Sequence, residues 1–289
     1  VSARAAGLFA ALALLASALP ARAEPPVWVV KDADSEIVLF GSVHILPPGL
    51  KWRPAALDAA LARADDIWFE LPMDAGTQAQ VGQLAATLGV LPPGQSLFRL
   101  LPPKDAQRLI KVAAAYGVDR LTLDRLEPWL AEVALAGAAY RVAGADTDHG
   151  VEATLSADAP PTARREAFET GAEQLALFDE APMAEQIASL RETLGELEAD
   201  PQAYRKLVDA WAAGDVAGLD REALRPLRKA SPAMFARLVT GRNERWIKAL
   251  EARLKGKGRT VVIVGIGHLI GSGGLPARLR ALGYSVTGP

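Results

Sequence analysis

The chain has 289 residues, half of them hydrophobic, with 32 Lys and Arg against 34 Asp and Glu, a net charge of −2 and no cysteine. That length and apolar content can supply a sizeable core. The slightly acidic balance gives no electrostatic basis for binding nucleic acid or an anionic membrane, and the missing thiol excludes cysteine catalysis, thiolate metal ligation and disulfide bracing.

Arg4, the apolar run from Ala5 to Leu19, the break at Pro20 and the small-x-small triplet Ala21-Arg22-Ala23 have the pattern of an export signal. The apolar run is short for a membrane span. The expectation is a signal peptide over 1–23, an uncleaved anchor being the alternative. The mature part, 24–289, is then expected to be periplasmic or secreted, without a membrane span and with a charge near −4.

Val27 to Val30 and Ile37 to Phe40 are apolar runs joined by the polar segment Lys31 to Ser35, which predicts a hairpin. A Pro/Gly loop follows, then a helix opening near Pro54 with Leu57, Ala60 and Leu61 inward, then a strand from Ile67 to Leu71. From about 76 to 256 the chain reads as a helical insertion punctuated by prolines, with Pro128 and Pro232 in first-turn positions. Ser231 is expected to cap the last long helix and Gly256 to end it, and one strand is expected at Ala167 to Thr170. Thr260 to Val264 is apolar and β-branched, as in a buried central strand. A glycine-rich loop, a helix from Pro276 to Leu282 and a strand from Tyr284 to Thr287 complete the order. The whole predicts a mixed α/β fold, its central sheet built from N-terminal and C-terminal strands.

The chain echoes itself. Gly41-Ser42-Val43-His44 and Gly265-Ile266-Gly267-His268 each follow an apolar strand and precede a loop, a helix and another strand. Two of only three histidines occupy this position. In open α/β sheets the C-terminal strand edge is where ligands bind, so neighbouring copies would bring both imidazoles to one crevice. Glu70, in Ile67-Trp68-Phe69-Glu70-Leu71, is surrounded by large apolar residues, and a buried carboxylate needs a cation or a raised pKa; a strand-end side chain reaching solvent is the plainer reading. Arg242 follows Leu238 and precedes Trp246 and Leu250 at i+4 spacing, on an apolar helix stripe. It calls for a carboxylate or substrate partner, or else snorkels from the stripe's margin. Asn243 lies on the adjacent apolar line. His149 reads as a solvent-facing turn residue, and Glu152 as a first-turn carboxylate favoured by the helix dipole. Neither Gly-x-Ser-x-Gly nor His-Glu-x-x-His occurs, and the glycines after Val264 do not fit a dinucleotide loop.

These residues together resemble the TraB/PrgY/GumN family, which is related to the Tiki metalloproteases. The segments concerned are Leu39 to Pro47, Phe69-Glu70-Leu71, Glu127-Pro128-Trp129, Gly150-Val151-Glu152, Phe168-Glu169-Thr170 with Glu173-Gln174, Arg242-Asn243 with Trp246, and Gly265 to Leu269. The resemblance implies a metal-dependent hydrolase cleaving a peptide or ester bond of a peptide or small-molecule substrate. His44, His268, Glu70 and Glu169 would be metal ligands, Glu70 and Arg242 catalytic residues, and Glu152 and Asn243 supporting ones. The implied cofactor is a divalent ion such as Mn²⁺, Co²⁺ or Zn²⁺. A non-catalytic binding protein for haem, a metal or a short peptide is the alternative, and a metal-free histidine general base the third. The chain departs from the family pattern where Pro72 follows Glu70-Leu71, where Glu152 replaces an aspartate, and where polar residues precede Glu169.

Overall fold

The computed structural model describes residues 23–289. The predicted signal segment lies almost wholly outside the described residues. Six strands form one mixed sheet: β1 (Val27–Lys31), β2 (Ser35–Ser42), β3 (Asp66–Phe69), β4 (Arg164–Ala167), β5 (Gly258–Gly265) and β6 (Ser285–Thr287). Their order across the sheet is β4-β3-β5-β2-β1-β6. β4, β3, β5 and β2 run parallel, whereas β1 is antiparallel to both β2 and β6. The mixed α/β expectation and the sheet's origin in both ends of the chain are thus observed.

Position in the sheet accounts for strand composition. β2 and β5 are central, and Ile37 to Phe40 and Val261 to Val264 are buried with no alternation, because helices cover both faces of a parallel strand. β1, antiparallel to both of its neighbours, alternates, with Trp28 and Val30 inward. The helix Ala55–Leu61 buries Leu57, Ala60 and Leu61 against this core, and the helix Gly241–Leu254 adds Trp246, Ile247, Leu250 and Leu254. Full burial of one such aliphatic side chain stabilises the fold by about 1.5–3 kcal/mol.

Two elements differ from expectation. The fourth strand is Arg164–Ala167 rather than 167–170; it borders the sheet, so its side chains stay largely exposed and need not be apolar, and the apolar Phe168 lies just beyond it. The last long helix does start at Ser231, whose hydroxyl accepts from Met234 N–H, but Ala236–Thr240 widens into a π-helical turn before Gly241.

The segment between β3 and β5 is otherwise helical. Part of it packs around a second apolar cluster that includes Leu97, Leu109, Leu135, Leu190 and Leu194. Another part grips the loop after β2. In the helix Ala203–Ala212, Trp211 donates to Gly41 O at 2.8 Å and Tyr204 to Ile45 O at 2.7 Å. Leu46 and Asp146 exchange backbone hydrogen bonds, and Val151 N–H donates to Val43 O. Among the described residues no helix is long and apolar enough to cross a membrane.

Candidate functional site

Four adjacent strands end at one edge, and each delivers a polar side chain there. Phe69 is level with Ala167 on one side and Ile263 on the other, and Ser42 with Gly265. Beyond the strand ends come Glu70 after β3, Glu169 after β4, His268 after β5 and His44 after β2. The two Gly-x-x-His turns are therefore neighbours.

His44 lies on the open side. Its Nδ1 is 2.6 Å from Glu152 Oε1, which also accepts from Ser42 Oγ at 2.5 Å. Glu152, in the first turn of the helix Val151–Asp158, is 8% exposed. The Glu152 carboxylate lifts the His44 imidazole from its ordinary 6.5 to about 9. The ring's side-chain exposure of 65% means that solvent screens this pair. Gly150 supports the arrangement, since a Cβ there would collide with the His44 carbonyl.

His268 is enclosed, and its tautomer follows from Asn243. Both protons of the Asn243 amide are engaged, one by His268 O at 3.2 Å and one by Gly273 O at 3.0 Å. Its Oδ1 must then accept, so His268 Nδ1, 2.7 Å away, carries the proton. His268 Nε2 is left with a lone pair, which faces Arg242 Nη1 at 3.1 Å. Burial, reinforced by Arg242 and His44, drops the imidazole pKa to about 4 even though Glu70 opposes this. His268 is neutral at pH 7.

Arg242 is the hub. It is 5% exposed and lies over the Trp246 ring at 4.6 Å. Its Nη2 donates to Glu70 Oε2 at 2.5 Å and its Nε to Glu169 at 3.0 Å. Glu169 also accepts from Arg245 at 3.0 Å and from Trp246 Nε1 at 3.1 Å, so both its oxygens hold protein cations. Glu70 accepts from Gly265 N–H at 2.7 Å and from Gln174 at 3.2 Å. Burial works against Glu70 ionising, but His268, Arg242, His44 and the Gly265 N–H together outweigh it and hold the carboxyl at about 2.

The imidazoles and Glu70 converge on Gly265. A Cβ at that position would lie 3.3 Å from Glu70 Oε1 and 3.8 Å from both His44 Nε2 and His268 Cδ2. Its φ of −48° is open to any residue, so glycine serves here for close approach rather than for backbone freedom. His44, Glu70, Glu152 and Gln174 open into a cleft of about 650 Å³, which Met73 and Asp148 help to line. His149, the third histidine, stays at the surface bonded to Asp146 at 2.6 Å.

The structure thus brings together His44, Glu70, Glu152, Glu169, Arg242, Asn243 and His268. It adds two groups that sequence reasoning missed. Ser42 and Gln174 lie inside the family-like segments and bond Glu152 and Glu70, while Gly265, the first residue of the second Gly-x-x-His motif, makes room among them. Gln174 is held by its helix start, where Thr170 and Glu173 form a reciprocal cap. Among the described residues no group of three or more His, Asp or Glu side chains lies close enough together, as placed, to hold a metal ion.

Polar groups gathered where parallel strands end make this an α/β protein whose crevice occupies the position that open sheets use for ligands. The chain belongs to the TraB/PrgY/gumN family, whose model matches residues 26–288. Comparison with curated proteins and with solved structures gave no match.

Proposed function

We propose that the protein is an exported, metal-assisted hydrolase acting on peptide or ester bonds, with its reaction centre above Gly265. One observation carries this reading. Each imidazole has its Nδ1 tied to a side-chain acceptor, Glu152 for His44 and Asn243 for His268, while each ring and Glu70 Oε1 border the same space. Such outer partners are what orient metal-ligating histidines. The donor set suits Mn²⁺, Co²⁺ or Zn²⁺ in kind. His44 and Glu70 would hold the ion, and His268 Nε2, which faces Arg242 in this structure, would complete the set. When bound, the ion would polarise the scissile carbonyl and lower the pKa of a water.

The chain's own groups have separable tasks. Glu70, held at about 2, is a permanent anion suited to ligation rather than to taking up protons at neutral pH. Glu152 and Ser42 aim His44. Arg242 offers a guanidinium to an oxyanion, and Glu169, its oxygens already committed, keeps Arg242 in place. The export pattern over 1–23 supports a periplasmic or secreted location.

A metal-free alternative is favoured by the contact between Arg242 Nη1 and His268 Nε2, which places a protein cation where an ion would bind. His44 backed by Glu152 would then be the proton-transfer group. Metal content of the purified protein, together with turnover of peptide and ester libraries, tests the proposal. Stoichiometric divalent metal that disappears in His44→Ala and His268→Ala, with turnover lost alongside it, is expected. Turnover that persists under strict chelation selects the metal-free route. Metal or haem binding without turnover would make the protein a binding protein and overturn the enzymatic reading.

A further inference from the structure

β4 forms one border of the sheet. Arg164 N–H donates to Asp65 O and Phe168 N–H to Phe69 O, with Arg164 level with Asp66. In a parallel ladder alternate residues face the partner strand. Arg164, Glu166 and Phe168 therefore turn towards β3, and Arg165 and Ala167 present N–H and C=O groups to the outside. No described strand pairs with that edge. Its shortness and its charged Arg164, Arg165 and Glu166 guard against indiscriminate pairing, yet they leave room for a short extended segment.

A groove of about 610 Å³ runs along this strand, its wall including the consecutive residues Arg165, Glu166 and Ala167. The groove and the cleft of His44 and Glu70 share Phe69 and Met73 in their walls, so the two lie side by side. The groove is acidic. Asp74, Glu166 and Glu173 line it against Arg165 alone, while Glu169 is neutralised by Arg242 and Arg245.

We propose that β4 is the docking strand for an extended peptide with basic side chains, which pairs with Arg165 and Ala167 by β-strand addition and runs from there into the cleft. Docking itself is independent of the hydrolase reading, and only cleavage of the docked peptide rests on it. Two outward residues offer up to four main-chain hydrogen bonds, and the acidic wall selects the charge.

The test is binding rather than turnover, on the wild-type protein in chelator, read by fluorescence anisotropy. The probe is a labelled heptapeptide of alternating lysine and valine, and its controls are a glutamate–valine counterpart and two forms N-methylated at alternate positions. The glutamate form should bind at least about tenfold more weakly, by charge. One methylated set should lose about tenfold or more while the other stays within about twofold, because only every second N–H meets the edge. Ala167→Pro removes an outward N–H that β3 does not use and should weaken binding about tenfold without a large change in unfolding temperature. Equal binding by both methylated sets, equal binding of the acidic peptide, or no binding of the basic one overturns the proposal. Peptide binding with no turnover of it or of the peptide and ester libraries, with or without metal, would instead refute the hydrolase reading and leave β4 as a docking strand; hydrolysis of a small ester without peptide binding would do the reverse.

Discussion

Asn243→Ala is the sharpest test of how the second histidine turn is held. Asn243 is wholly buried and makes three hydrogen bonds, donating to His268 O and Gly273 O and accepting from His268 Nδ1. Truncation leaves the His268 carbonyl and its imidazole N–H without partners, whereas Gly273 O keeps its bond from Arg278 Nε. Each buried orphan costs about 1–3 kcal/mol, and partial relaxation brings the expected loss to about 2–4 kcal/mol. At roughly 2–3 °C per kcal/mol for a chain of this size, the unfolding midpoint should fall by about 4–12 °C. Urea denaturation followed by circular dichroism gives the free energy, and a thermal scan gives the midpoint. A loss below about 1 kcal/mol would refute the reasoning, because it would mean that water, not the amide, satisfies the loop.

Glu152→Gln should bring the His44 titration, followed by NMR of its ring protons, down from about 9 towards 6.5, and an unchanged titration would remove Glu152 from that role. The sign is that of a raised base: the stabilisation from this pair is complete below about 6.5 and is lost as pH rises through about 9. His268 behaves oppositely, since the unfolded imidazole takes a proton that the buried one refuses; stability should fall between about pH 6.5 and 4, and acid titration of His268→Gln should lack that component. Arg242→Ala leaves Glu70 as a buried anion without its guanidinium, while Glu169 keeps Arg245, and should cost about 3–5 kcal/mol, whereas a change within about 1 kcal/mol would show that solvent reaches Glu70. Gly265→Ala should fold with a melting point close to wild type but lose at least about tenfold in turnover, since the new methyl enters the space between His44, His268 and Glu70; undiminished turnover would place the reaction elsewhere.

Much of this arrangement could be read from residue order. Two apolar strands ending in Gly-x-x-His become adjacent parallel strands, because a β-branched run such as Thr260 to Val264 is stable only in a sheet's centre. Glu70 among aromatic neighbours and Arg242 on an apolar stripe each implied a buried partner, and they are each other's. Glu152 was harder to place, since a carboxylate in a helix's first turn is ordinary and only the fold shows His44 against it. β4 escaped its true position because a border strand carries no apolar signature. The π turn before Gly241 was equally silent, its residues being ordinary helix formers.

The placement of β5 has a consequence for when the protein becomes itself. That strand lies between β2 and β3, so the amino-terminal strands cannot close their own gap. Synthesis must pass Gly258–Gly265 before the wedge arrives, and until then the half-built sheet exposes hydrophobic strand borders. The same late wedge brings His268. A nascent polypeptide short of that strand is consequently both unfinished as a fold and without the second imidazole of its crevice, and the two conditions end together.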